Sequence, residues 1–173
     1  MYIFKNPTKG FTLIELLVVI SIIALLASVI LVSLNTAREK ARNARSISQL
    51  QQYQKAFEIY RSTYGEYPRT NTSASGAWAC LGTGYVGGNC WSAPYSENPT
   101  FNALIEPYID TSAIPGAITD PSYQGTLYRH LRSGDGYNII IILEGASTPC
   151  PFGTKSPSAT YSSRDITRCD FSN

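Results

Sequence analysis

Lys9-Gly10-Phe11-Thr12-Leu13-Ile14-Glu15-Leu16-Leu17-Val18-Val19-Ile20 is the stretch on which the reading of this chain turns. It opens an apolar run from Phe11 to Val32 in which 18 of 22 positions are apolar, the exceptions being Thr12, Glu15, Ser21 and Ser28, with no Pro or Gly inside. Twenty-two helical residues at about 1.5 Å each reach about 33 Å, enough to cross a hydrocarbon core of about 30 Å. The spacing therefore predicts a membrane-spanning helix, with boundaries at residues 11 and 37.

The ordinary explanation of an N-terminal apolar run is a secretory signal or a plain anchor. Two features argue otherwise. Ala24-Leu-Leu-Ala27 lacks the small-x-small spacing of a signal-peptidase site, and the run exceeds the usual apolar region. The break in character lies upstream, where Met1–Gly10 forms a short leader with Lys5 and Lys9, Pro7 resists helix, and Gly10 gives a pliable backbone point just before the rod.

Glu15 is the third feature, a carboxylate one turn inside an apolar helix with no basic side chain nearby in that helix. Such a group is a functional candidate whose partner has to be found. A cut between Gly10 and Phe11 creates an α-ammonium at Phe11, and helices bundled side by side place that ammonium against the Glu15 of a neighbour. On this reading the charge is matched only in an assembly.

The residues from Lys9 to Ile20 resemble the cleavage and methylation signature of type IV pilins and type II secretion pseudopilins. Basic leader, Gly before the cut, Phe after it and the acid at Glu15 all fall in register. The resemblance implies that a prepilin peptidase cuts after Gly10, that Phe11 becomes the N-methylated first residue, and that Glu15 guides subunit addition. It also implies a pilin-like fold, identical or related subunits and an inner-membrane assembly platform as partners, membrane lipid before assembly, and a leader facing the cytoplasm with the body outside it. The rod lacks the Pro and Gly at which many type IV pilins bend, so a straight helix is expected. Lys5 and Lys9 before the span are outnumbered by Arg38, Lys40, Arg42 and Arg45 after it. That count alone favours the reverse orientation, but the processing motif is the narrower signal and takes precedence.

Beyond the rod, Ala37, Ala41, Ala44, Ile47, Leu50, Tyr53, Phe57, Tyr60 and Tyr64 recur every three or four residues, predicting an amphipathic helix up to Gly65, with Pro68 just beyond. Its stripe needs a sheet to cover it. Thr126–Leu131 and Tyr137–Glu144 read as strands joined by a turn at residues 132–136, a last strand is expected near Tyr161–Cys169, and a short helix within Pro99–Ile109. Ile114-Pro115 and Asp120-Pro121 read as turns. The expected fold class is α+β: a leader at 1–10, a membrane or filament-core helix at 11–37, and an extracytoplasmic body at 38–173 built as a long helix on a small antiparallel sheet.

Cys80, Cys90, Cys150 and Cys169 form an even set in a region placed outside the cytoplasm, where disulfides are the expected state. Pairing Cys80 with Cys90 and Cys150 with Cys169 closes two separate loops at about 3 kcal/mol each on the chain-entropy account. Zinc is disfavoured because no Cys-x-x-Cys spacing exists. Neither a metal nor a cofactor is expected.

The whole chain of 173 residues carries 14 Lys+Arg and 12 Asp+Glu, a net charge of +2, too small to imply nucleic acid. The basic group Arg38 to Arg45 suits lipid headgroups or neighbouring subunits better than DNA. Gly82-Thr-Gly84-Tyr-Val-Gly87 fits the letters of a dinucleotide loop, yet it lies between two cysteines rather than between a strand and a helix. His130, the one histidine, stands in a strand with no nucleophile motif beside it, and Asp135 supplies a single acid where calcium needs several oxygens. Trp78, Tyr85 and Trp91 either form an adhesive patch or cover the sheet. No catalytic set emerges, and a structural role is expected.

Overall fold

A computed structural model describes residues 10–70, 77–91, 95–112, 123–131, 136–145, 148–161 and 166–173, without the side chains of Val32, Val86 and 154–161. The leader before Gly10, the turns at Ile114-Pro115 and Asp120-Pro121, and Asp135 lie outside these residues. The chain divides into two compact units, Met1–Arg38 and Glu39–Asn173.

Helix α1 runs Leu13–Tyr64. In the first unit every described side chain from Phe11 to Arg38 is exposed. Among the described residues this is the helix that is long and apolar enough to cross a membrane. At the other end, Gly65 takes φ 80° and donates its N–H to the Arg61 carbonyl at 2.8 Å. Only glycine adopts that left-handed turn at little cost, which is why the helix stops there.

The second unit is α+β. Its sheet is antiparallel, in the order β1-β2-β3-β5-β4, with β1 Ala79–Cys80, β2 Leu127–His130, β3 Tyr137–Glu144, β4 Thr154–Tyr161 and β5 Ile166–Ser172. The expected last strand is in fact two, β4 and β5, paired through a register shift between Lys155 and Thr160. Ser/Thr-rich composition hides β4, because its residues carry no apolar alternation to read. Helix α2 spans Pro99–Ile105, capped by Asn98, whose side chain accepts from the Phe101 N–H at 3.0 Å.

Strand periodicity then sorts the side chains by face. Ile139, Ile141 and Leu143 of β3 and Tyr128 of β2 pack with Leu50, Tyr53 and Phe57 of α1, while Leu127, Ile140, Ile142 and Ile166 turn to the opposite face, under Cys80, Tyr85, Cys90 and Trp91. The continuous Ile run of β3 thus has apolar cover on both sides. Phe57 is the hub of the inner core, with ring centroids 4.7 Å from Tyr128, 5.4 Å from Tyr137, 6.2 Å from Tyr53 and 6.4 Å from Phe101.

The amphipathic stripe is shorter than its spacing suggested. Ala37, Ala41, Ala44 and Tyr64 are exposed, and burial begins instead with Asn43 and Ser46. Polar residues suit that level because the end of β3 presents main-chain groups there. Asn43 Nδ2 donates to the Glu144 carbonyl and Asn43 Oδ1 accepts from the Glu144 N–H, both at 2.9 Å. One carboxamide thereby supplies both hydrogen bonds that a neighbouring strand would give.

Candidate processing and assembly site

Gly10, Phe11 and Thr12 precede the first helical residue and are exposed. Thr12 starts the ladder, its carbonyl accepting from the Leu16 N–H at 3.3 Å. Its hydroxyl oxygen accepts from the Glu15 N–H at 3.2 Å and donates to Glu15 Oε2 at 2.8 Å, while the Thr12 N–H donates to the same carboxylate oxygen at 2.9 Å. This is a capping box, in which the cap residue and the acid three positions on satisfy each other's main-chain donors. No basic side chain meets Glu15 within its own helix, as expected, but Thr12 does, and the pair holds the helix start. Thr12-x-x-Glu15 ahead of an apolar run is itself a readable signal of this arrangement. The carboxylate keeps a further oxygen, Oε1, for a cation.

Sulfur bridges join Cys80 to Cys90 and Cys150 to Cys169, the pairs favoured by loop closure. The first clamps the glycine-rich loop to the outer face of the sheet. Gly82, Gly84 and Gly87 lie inside that bridge, the last within a three-residue 3-10 turn, Val86–Gly88, and not at the start of an α-helix. The Tyr85 N–H donates to Glu97 Oε1 at 2.7 Å, and its hydroxyl donates to the Leu81 carbonyl. Trp91 Nε1 donates to the Gly125 carbonyl at 2.9 Å. Tyr85 and Trp91 are buried, so these two rings cover the sheet and do not form an adhesive surface.

The basic group after the rod is not uniform. Arg42 is committed to Glu144, its Nε lying 2.9 Å from both carboxylate oxygens and a terminal nitrogen 2.5 Å from Oε2. Arg38, Lys40 and Arg45 are exposed. His130 is buried on β2. Among the described residues no cluster of three or more His, Cys, Asp or Glu could hold a metal ion.

Comparison with known proteins bears on the same segment. Residues 5–31 match the family described as the prokaryotic N-terminal methylation motif. The chain is also similar to the type II secretion system core protein G of Escherichia coli (strain K12), with 38% identity over 66 residues, covering 38% of this chain and 46% of that protein. The match thus spans less than half of the curated relative. No solved structure was found to match the chain. Both matches support the resemblance read from Lys9 to Ile20.

Proposed function

We propose that this chain is the structural subunit of a filament of the type IV pilin and pseudopilin kind. Its precursor is held in the cytoplasmic membrane with the leader inside, cut between Gly10 and Phe11 by a prepilin peptidase, N-methylated at Phe11, and moved into a fibre by an inner-membrane assembly platform. The observation that carries this reading is the methylation motif over residues 5–31, set at the head of a helix whose apolar side chains find no cover within the described chain. Lipid covers them before assembly and copies of the same helix afterwards. Because lipid and helix partners are similarly apolar, extraction gains little by itself, and assembly needs an energy-driven machine. Loss of Lys5 and Lys9 leaves 12 Lys+Arg against 12 Asp+Glu, a balance that lets many copies pack with little mutual repulsion.

Within this class, the 38% identity to the type II secretion core protein G favours the pseudopilus of a secretion system over a long surface pilus. The role is structural and not catalytic.

Co-expression with a prepilin peptidase tests the reading. The expected product starts at Phe11, lighter by the ten leader residues; an intact Met1 terminus or a cut near Ala27 contradicts it. A pair of substitutions then separates the two roles of Glu15. Glu15→Gln keeps an acceptor for the capping box but removes the charge, whereas Thr12→Ala removes the cap and keeps the charge. If the carboxylate serves an ammonium on a neighbour, Glu15→Gln is cut but absent from fibres while Thr12→Ala still assembles. The opposite pattern assigns Glu15 to helix capping alone.

A further inference from the structure

Tyr60 and Tyr64 stand one turn apart at the end of α1, a spacing that lays side chains over one another on a helix face. Their ring centroids are 4.4 Å apart, with the planes inclined at 38°. Tyr108, just beyond α2, meets the Tyr60 ring edge-on at 6.3 Å, and the Tyr64 hydroxyl is hydrogen-bonded to it. Three phenols thus gather at one corner of the second unit. They are not core residues, because Tyr64 is 61% exposed and Tyr60 and Tyr108 are half-buried.

A phenol that loses one electron and its hydroxyl proton becomes a radical whose unpaired spin lies partly on the ring carbons ortho to oxygen. Two such radicals couple where an oxidant reaches the rings and the rings touch. Other described tyrosines meet one condition at most. Tyr53, Tyr67, Tyr85, Tyr128 and Tyr137 are buried, and Tyr95 and Tyr123 each pack edge-on against Trp91. Competing side chains are withdrawn as well. All four cysteines are tied in disulfides, the one methionine is Met1, and these are the side chains that oxidise most readily. Trp91 is buried. The Arg129 guanidinium lies 4.5 Å from the centroid of the Trp78 ring, where its charge opposes removal of an electron from that ring. Two disulfides also place the body in oxidising surroundings.

We propose that Tyr60 and Tyr64 are an oxidative modification site, joined as dityrosine by a haem peroxidase that consumes hydrogen peroxide. Each phenol gives up one electron and one proton, and the peroxide takes both pairs and leaves as two waters. The two radicals form a carbon–carbon bond between ortho positions, and the ortho hydrogens move through water to the oxygens, restoring both phenols. The chemistry is independent of filament formation; only access to an oxidant outside the cytoplasm rests on the topology proposed above. The bond staples the last turn of α1 beside Gly65, where helix ends otherwise fray.

The test treats the dilute full-length chain in nonionic detergent with a haem peroxidase and hydrogen peroxide, so its failure leaves the filament reading untouched. The expected product is a monomer lighter by two hydrogens, with dityrosine fluorescence and a Tyr60–Tyr64 link in peptide mass spectra. Tyr60→Phe and Tyr64→Phe should each abolish that fluorescence, whereas Tyr108→Phe should retain most of it. Circular dichroism checks the fold of each variant, and Tyr64, being exposed, tolerates the change most easily. Amide exchange over Arg61–Tyr64 should slow in the linked chain. A link through other tyrosines, dimers in place of the internal bond, fluorescence that survives Tyr64→Phe, or no dityrosine overturns the site. Unchanged exchange overturns the staple.

Discussion

The two units of this chain treat apolar surface in opposite ways. From Phe11 to Leu34 the first unit leaves its large apolar side chains open, with Leu13 at 86% and Leu25 at 66% exposure, whereas Leu50, Tyr53 and Phe57, on the same helix, are at 0%. Composition does not explain the contrast, since both stretches are rich in large apolar residues. What differs is the source of the cover. The second unit brings its own sheet, and nothing in the described chain covers the first. Burial within one chain can be assigned by sequence periodicity, but burial between chains shows only as unclaimed surface.

The strongest way to break this contrast is a matched pair of truncations. Phe57→Ala should destabilise the body by about 3–5 kcal/mol, the usual cost of emptying an aromatic site in a packed core, read as a lower melting temperature in detergent. Leu17→Ala should leave that transition within about 0.5 kcal/mol. A large effect of Leu17→Ala on body unfolding means that the two stretches share stability after all.

Opening either disulfide, by Cys80→Ser with Cys90→Ser or Cys150→Ser with Cys169→Ser, should cost about 3 kcal/mol on the chain-entropy account. The helicity of the rod should not change. Equilibrium denaturation followed by near-UV signals reads the loss.

Alkaline pH also separates the units. Burial pushes the hydroxyls of Tyr53, Tyr128 and Tyr137 well above the ordinary value of 10. The folded state therefore holds their protons more tightly than the unfolded one. That stabilisation is complete below pH 10 and is lost as pH rises from 10 towards the raised values, by up to about 1.4 kcal/mol per pH unit for each group. The body should unfold in this range, monitored by tyrosinate absorbance, while helical signal from the rod persists. Ionisation of all the tyrosines near pH 10 with the body still folded contradicts the assignment.

Smaller effects sharpen the boundary. Glu144→Gln should cost about 1 kcal/mol, because Arg42 is 41% exposed and water screens the pair; urea unfolding of the body reads it. Thr12→Ala should change body stability not at all. It should speed amide exchange in the first turn of the rod a few-fold.

Much of this architecture was legible because its signals are local. Gly65 ends a helix through its backbone freedom, and the Ile run of β3 announces a strand with apolar cover. Loop closure favoured the two disulfide pairs without any knowledge of the sheet. Other features depend on what lies opposite in space. Asn43 looks like a break in an apolar stripe until Glu144 shows which main-chain groups it completes. β4 carries no alternation to read and exists through its pairing with β5. In the candidate site, the motif from Lys9 to Ile20 was readable as a processing signal, yet the local role of Glu15 was missed. The phenol corner was legible only in part: Tyr60 and Tyr64 fall at helical spacing, but Tyr108 joins them only once α2 is placed.

The Thr12–Glu15 box has a consequence for proteolysis. On the proposed processing, the bond between Gly10 and Phe11 lies upstream of the first rung of the helical ladder, which Thr12 and Glu15 hold from within. A protease can thus grip unwound backbone and sever it without disturbing a single turn. A product of that proposed cut would keep its leading end finished, with no refolding step between trimming and use.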